Sequence, residues 1–160
     1  QERENRFEPL SDSKETVEMA YLINEGVLQL NPAEDRSINV VTLQSPDGTQ
    51  PLQVIITRDK GEPGESLADS VARQVKVLSR QVKDFKNLAR EDLQITEAKW
   101  PAILQEHRFK QGGQAAHQIQ IIAQIPAGSF LIFSLSSTTP ITDAHRQAWI
   151  DSVVGFQPTI

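Results

Sequence analysis

Cysteine is absent from the 160-residue chain. That excludes a disulfide framework, a thiolate metal site and a cysteine nucleophile, and it fits a reducing cytosol. Positive charge is in deficit: the net charge is −5 and the pI about 5.2. A nucleic-acid binder needs a basic face to meet phosphate, and an anionic membrane surface attracts basic segments; neither is offered. Long apolar runs are missing as well. The densest stretches, Ile119 to Ile125 and Phe130 to Leu135, fall far short of the roughly 20 residues of a membrane span. No apolar run follows the polar start Gln1 to Arg6, so no signal peptide is visible. These absences predict a cytoplasmic protein that does not insert into membranes.

What is present suits a single folded domain. Hydrophobic residues make up 38% and charged residues 23%, which is ordinary for a globular chain with a real core. Residues 1–18 are polar and read as a tail or extension outside the domain. The expected domain is 19–160, with Met19 at or near a natural start. Ala20 to Leu30 reads as a two-part strand or hairpin broken at Asn24-Glu25-Gly26. Ser37 to Leu43 reads as a strand with Ile38 and Val40 on one side. Ser45-Pro-Asp-Gly48 is a turn, and Leu52 to Thr57 is the returning strand.

Ser66 is a helix N-cap with Asp69 three residues on. The helix is expected over Leu67 to Phe85, with Leu67, Val71, Val75, Leu78 and Val82 as its apolar stripe. Strands follow near Asp92–Ala98 and Ala102–Lys110. Gln111-Gly-Gly-Gln114 is a hairpin turn. Ala115–Ile125 and Ser129–Ser137 are the last strands. Thr142 and Asp143 cap a closing helix, Ala144 to Val154, with Trp149, Ile150 and Val153 inward. Short connections make antiparallel neighbours. The predicted class is α+β: an antiparallel sheet packed by one long helix and a C-terminal helix.

The sequence offers no catalytic set. His107, His117 and His145 lack the close helical spacing of metal pairs; His107 and His117 are expected to face each other across the Gly112-Gly113 hairpin as a solvated or packed pair. No Gly-x-Ser-x-Gly elbow occurs, and Gly61 to Gly64 lacks the Lys and hydroxyl of a phosphate loop. Asp59, Glu62, Glu65 and Asp69 match no calcium loop. The chain therefore reads as a non-enzyme without metal or cofactor. The unusual feature is glutamine. Gln53 sits between Leu52 and Val54. Gln118, Gln120 and Gln124 share one side of a strand whose other side holds Ile119, Ile121 and Ala123. Gln74 and Gln81 lie on the long helix beside its stripe. A solvated sheet face explains this. So does a groove that mixes amides with apolar side chains and receives an apolar helix.

Several segments in register resemble one family. They are Tyr21-Leu-Ile-Asn-Glu-Gly-Val-Leu-Gln-Leu30, Asp35-Arg-Ser-Ile-Asn-Val40, Val54-Ile-Ile-Thr-Arg-Asp59, Ala72-Arg-Gln74 and Ser136-Ser-Thr-Thr-Pro140. Together they resemble the Eag chaperones of type VI secretion, from about Met19 to Phe156. Asn31–Glu34 departs from relatives that carry a tryptophan there. The resemblance implies a PsbP-like α+β fold and a cup-shaped homodimer. It implies shielding of the N-terminal transmembrane segments of PAAR-containing effectors before loading on the VgrG spike. It places Ile38, Val40, Gln53, Ile55, Thr57, Gln74, Leu78 and Val82 at an effector-binding groove. The strand glutamine that contacts the bound helices falls at Gln120, with Gln118 as the alternative. A plain protein-interaction or assembly domain on the same fold is the second reading: an exposed apolar concavity favours the chaperone, a flat polar sheet the assembly domain.

Overall fold

Asn24 and Glu25 interrupt an apolar stretch, and the chain folds back on itself there. Strands β1 (Ala20–Ile23) and β2 (Gly26–Gln29) pair antiparallel, Ala20 opposite Gln29 and Ile23 opposite Gly26. The computed structural model describes residues 20–44 and 52–159. The 1–18 extension, Met19 and the Ser45–Gly48 turn lie outside them. The chain divides into two compact units, residues 1–35 and 36–160. The hairpin belongs to the first, where Tyr21 Oη donates to Asp35 Oδ1 at 3.1 Å. Its Leu22, Ile23, Val27 and Leu28 are exposed.

The second unit holds strands β3 (Asn39–Leu43), β4 (Leu52–Asp59), β5 (Lys83–Ile95), β6 (Trp100–Gln111), β7 (Gln114–Gln124) and β8 (Phe130–Ser137). They form one antiparallel sheet in the order β3-β4-β8-β7-β6-β5. Helix α1 (Leu67–Gln81) follows β4, and helix α2 (Asp143–Val154) closes the chain. This is the expected α+β class. Strand alternation sends side chains to two faces, and each face buries a separate apolar cluster. Val71 of α1, with Leu67 and Val75 beside it, packs on Ile103, Ile122, Phe130 and Ile132. Trp149 and Val153 of α2 pack on Leu52, Val54, Leu104, Ile119, Ile121, Phe133 and Leu135. The helices thus cover opposite faces.

Both helices start as their sequences direct. Ser66 accepts from the Asp69 N–H, and Thr142 accepts from that of His145, each at 3.1 Å, which satisfies donors that a helix start leaves orphaned. Several expected boundaries move. α1 stops at Gln81, a turn before Phe85, and β5 begins at Lys83, well before Asp92. Phe85 keeps helical spacing from Val82, but its ring packs against His107 at 5.0 Å and Phe109 at 6.5 Å on the neighbouring strand. The sheet, not the helix, captures that apolar surface. At the other end β5 stops at Ile95. Thr96 and Lys99 take positive φ of 66° and 60° in the turn to β6, which ends the strand before Ala98.

One glycine is required by contact. Gly61 has φ +76°, and a Cβ there would lie 2.6 Å from the Phe130 ring. The loop must pass flush against that ring to deliver the chain from β4 to α1.

Candidate binding face

Cross-strand register lays out the α1-bearing face as rows. Val40 stands opposite Ile55, Ile55 opposite Ser134, Ser134 opposite Gln120, and Gln120 opposite Gln105. The next row runs Thr42, Gln53, Ser136, Gln118 and His107. On the other side, Thr57, Ile132, Ile122 and Ile103 form an apolar row, much of it beneath α1. The first row changes character across the sheet, from apolar Val40 and Ile55 at the β3–β4 edge to hydroxyl and amide in the middle; the second is polar throughout.

The structure brings Val40, Gln53, Ile55, Thr57, Gln118 and Gln120 onto one face, and α1 packs on the same side. Ile38 directly precedes β3, which starts at Asn39 rather than Ser37. Ile38 is 62% exposed and Val40 57%, an unusual state for branched aliphatic residues beside a packed core. Ile55, Thr57, Gln118 and Gln120 are half-buried, and Gln53 is exposed. On α1, Gln74, Leu78 and Val82 are half-buried. Val82 is the C-cap rather than a helical residue. Gln74 donates to the Oγ of fully buried Ser70 at 2.9 Å.

Four residues of this face were not singled out as site residues: Gln105, His107, Ser134 and Ser136. His107 does not face His117. It stands opposite Gln118, while His117 stands opposite Arg108 and points to the other face. The signal was available, because a hairpin closed by Gln111 and Gln114 fixes this register. His107 Nε2 lies 2.8 Å from Gln105 Oε1, and Nδ1 lies 3.4 Å from Gln118 Oε1. Burial pushes the His107 pKa down, opposed by the Gln118 contact and by nearby Glu106. A neutral ring has one N–H to donate, and the short Gln105 contact is the better geometry for it. Gln120 donates to Ser134 Oγ at 3.1 Å. Gln105 with His107 and Gln120 with Ser134 are thus paired within the protein, and the apolar rim of Ile38 and Val40 is exposed.

Charge fixes α1 against this face. Arg73 reaches Asp59 at 2.6 Å and Glu65 at 2.8 Å. The Arg73 guanidinium holds the Glu65 carboxyl below its usual range, and the two carboxylates raise the guanidinium in return. The acids near Gly61 therefore act as an anchor for the helix. Among the described residues, no group of three or more His, Asp and Glu is placed to hold a metal ion. None of the described helices is long and apolar enough to cross a membrane.

The opposite face has its own concavity. A cavity of about 380 Å³ lies between α2 and the β3–β4–β8 half of the sheet, lined by Val41, Leu43, Val54, Leu135, Trp149 and Phe156 among others.

An α+β sheet with one helix per face and an open apolar rim defines a class that comparison names. The chain belongs to the DcrB family, whose model matches residues 25–154. It is similar to Effector EagT6 of Pseudomonas aeruginosa strain PAO1, 29% identical over 140 residues that cover 86% of this chain and 94% of that protein. The resemblance to Eag proteins read in the sequence agrees with that match. Among solved structures it is similar to the crystal structure of PA94, a protein of unknown function from Pseudomonas aeruginosa. There the TM-score is 0.74 and the identity 25%, over 88% of this chain and 96% of that one.

Proposed function

We propose that this chain is a cytoplasmic, non-catalytic chaperone of type VI secretion that shields N-terminal transmembrane segments of a PAAR-containing effector, acting as a homodimer before the effector is loaded on the VgrG spike. The observation that carries this reading is the exposed pair Ile38 and Val40 beside Ile55, bordered by Gln53, Gln118 and Gln120. An apolar segment in water costs about 25 cal/mol per Å² exposed, so an aliphatic rim favours such a segment. Membrane helices also associate through polar side chains and small residues. Hydroxyls and amides behind the rim supply matching contacts. The similarity to Effector EagT6 supports this reading.

Size argues for two copies. The eight residues of β4 span roughly 26 Å at about 3.3 Å each, and part of this face lies under α1. A helix that crosses a bilayer runs about 30 Å. A helix of that length laid along β4 overhangs it, and the longer strands β6 and β7 carry α1 on this face. The assembly-domain reading needs a flat polar sheet, and the exposed aliphatic rim speaks against that.

Co-expression with an effector's N-terminal segment tests the proposal. The expected result is a soluble complex whose light scattering reports two chains of this protein per effector segment. An effector segment that stays insoluble with and without this chain would refute the chaperone reading.

A further inference from the structure

α2 does not fill the face that it covers. The cavity of about 380 Å³ beneath it falls in the range of small-molecule pockets, about 300–1,000 Å³. Two short side chains leave the room. Ala148 and Ser152 stand four residues apart on α2, on one side of the helix, and both line the cavity. Each is exposed. A longer aliphatic side chain at either position would occupy the space. The floor is made by Val54 of β4 and by Phe133 and Leu135 of β8, all buried. Trp149, on the same side of α2, lines the cavity too. It is only 8% exposed, and among the described residues its indole N–H has no acceptor. A buried donor without a partner costs free energy, and such groups are rare in native folds. Open apolar space and an unpaired donor thus occur together.

We infer that this cavity is a binding site for a small neutral molecule with an aliphatic body and one carbonyl oxygen. Three properties define the ligand. First, the lining is chiefly branched aliphatic, which suits a saturated chain; a cavity of that kind stays dry and takes apolar guests. Second, an indole N–H donates and cannot accept, so the ligand supplies the acceptor. A carbonyl oxygen does so without bringing a donor that would need a partner of its own. Third, no Lys or Arg lines the cavity, and the one ionisable group there is His145. A carboxylate would give up its water without a lysine or arginine to meet it, which selects a neutral molecule. The site lies across the sheet from the α1-bearing face and shares none of the residues assigned to the effector segment. Its occupant is a second ligand, and the inference stands independently of the chaperone reading.

The chain has two tryptophans, Trp100 and Trp149, so the full chain labelled with nitrogen-15 shows two indole N–H signals, and Trp149→Phe identifies the second. The probes are 2-octanone and octanoate, each added at pH 8. 2-Octanone is expected to move the Trp149 signal along a saturating curve, and to move it several times further than the Trp100 signal. Octanoate is expected to bind roughly tenfold more weakly or not at all. Ala148→Leu and Ser152→Leu, made separately, fill the space. Each is expected to weaken 2-octanone binding roughly tenfold or more, with a melting temperature no lower than the parent's. In calorimetry Trp149→Phe is expected to bind 2-octanone several-fold more weakly. A Trp149 signal that ignores 2-octanone, or that responds as strongly in both leucine variants, overturns the inference. Octanoate that binds as tightly as 2-octanone overturns the neutral assignment, and an unchanged affinity in Trp149→Phe overturns the indole as the group that reads the carbonyl.

Discussion

Single residues on the α1-bearing face divide into those that hold the protein together and exposed ones that the proposed function assigns to the bound segment. Ile38 and Val40 are exposed, so Ile38→Asp and Val40→Asp are expected to leave the melting temperature near its original value. Each should abolish capture of the effector segment, because a carboxylate laid against an apolar helix loses its water without gaining a partner. Gln120 differs, since its amide is already bonded to Ser134. Gln120→Ala is expected to weaken binding several-fold and to lower stability by about 1 kcal/mol, with Gln118→Ala as the comparison. Isothermal titration and thermal melting check both sets; a full loss of folding in the Asp variants would place Ile38 and Val40 in a core. His107 belongs to the first class. Its pKa in the fold lies below 6.5 because burial disfavours the charged ring. The unfolded chain therefore binds the proton first as pH falls. Stability from this site is complete above about 6.5 and declines below it, as pH falls toward the folded value. In His107→Gln that decline should disappear, which urea titrations at pH 7 and pH 5.5 would show.

Among the elements, α1 does most to shape the face, and its position depends on a few charges. Arg73 joins it to Asp59 at the end of β4 and to Glu65 in the loop. The Glu65 pKa is lowered from 4.5, chiefly by the Arg73 hydrogen bond. A depressed carboxyl stabilises the fold above its unfolded pKa and ceases to do so as pH falls through the folded value. Glu65→Gln is thus expected to melt at a lower temperature than the parent at pH 7 and at the same temperature once both are well below pH 4. Melting curves at the two pH values check this. These elements also show what the sequence could tell. The start of α1 was legible from Ser66 and Asp69, because a cap is a local interaction. Its end was not: Phe85 continues the helical spacing, and only the His107 and Phe109 rings across the sheet decide otherwise. Likewise Gln118 and Gln120 were placed on one side by alternation, whereas the pairing of His107 with Gln118 needed the hairpin register. Val40 and Ile55 could be named from a resemblance, but that they stand opposite each other is a fact of tertiary pairing.

At the scale of the whole molecule, the two units differ in how they can persist. A two-stranded hairpin is marginal in water, while a six-stranded sheet buried on both faces is a cooperative core. Amides of β1 and β2 are expected to exchange hydrogen orders of magnitude faster than those of β7, as hydrogen–deuterium exchange with mass spectrometry would read. Equal protection of the hairpin and β7 would contradict this. The division into units was not legible in the sequence, because the apolar residues of Ala20 to Leu30 look like those of any core strand. The sheet order, with β5 at one edge, has a consequence of its own. A molecule with two bare edges polymerises, since every addition exposes a new site. Here the Lys, Arg and Asp side chains and the paired register shifts of β5 guard one of the two edges. A sheet guarded in this way at β5 cannot lengthen strand by strand from that flank, which keeps edge-to-edge aggregation from running through it.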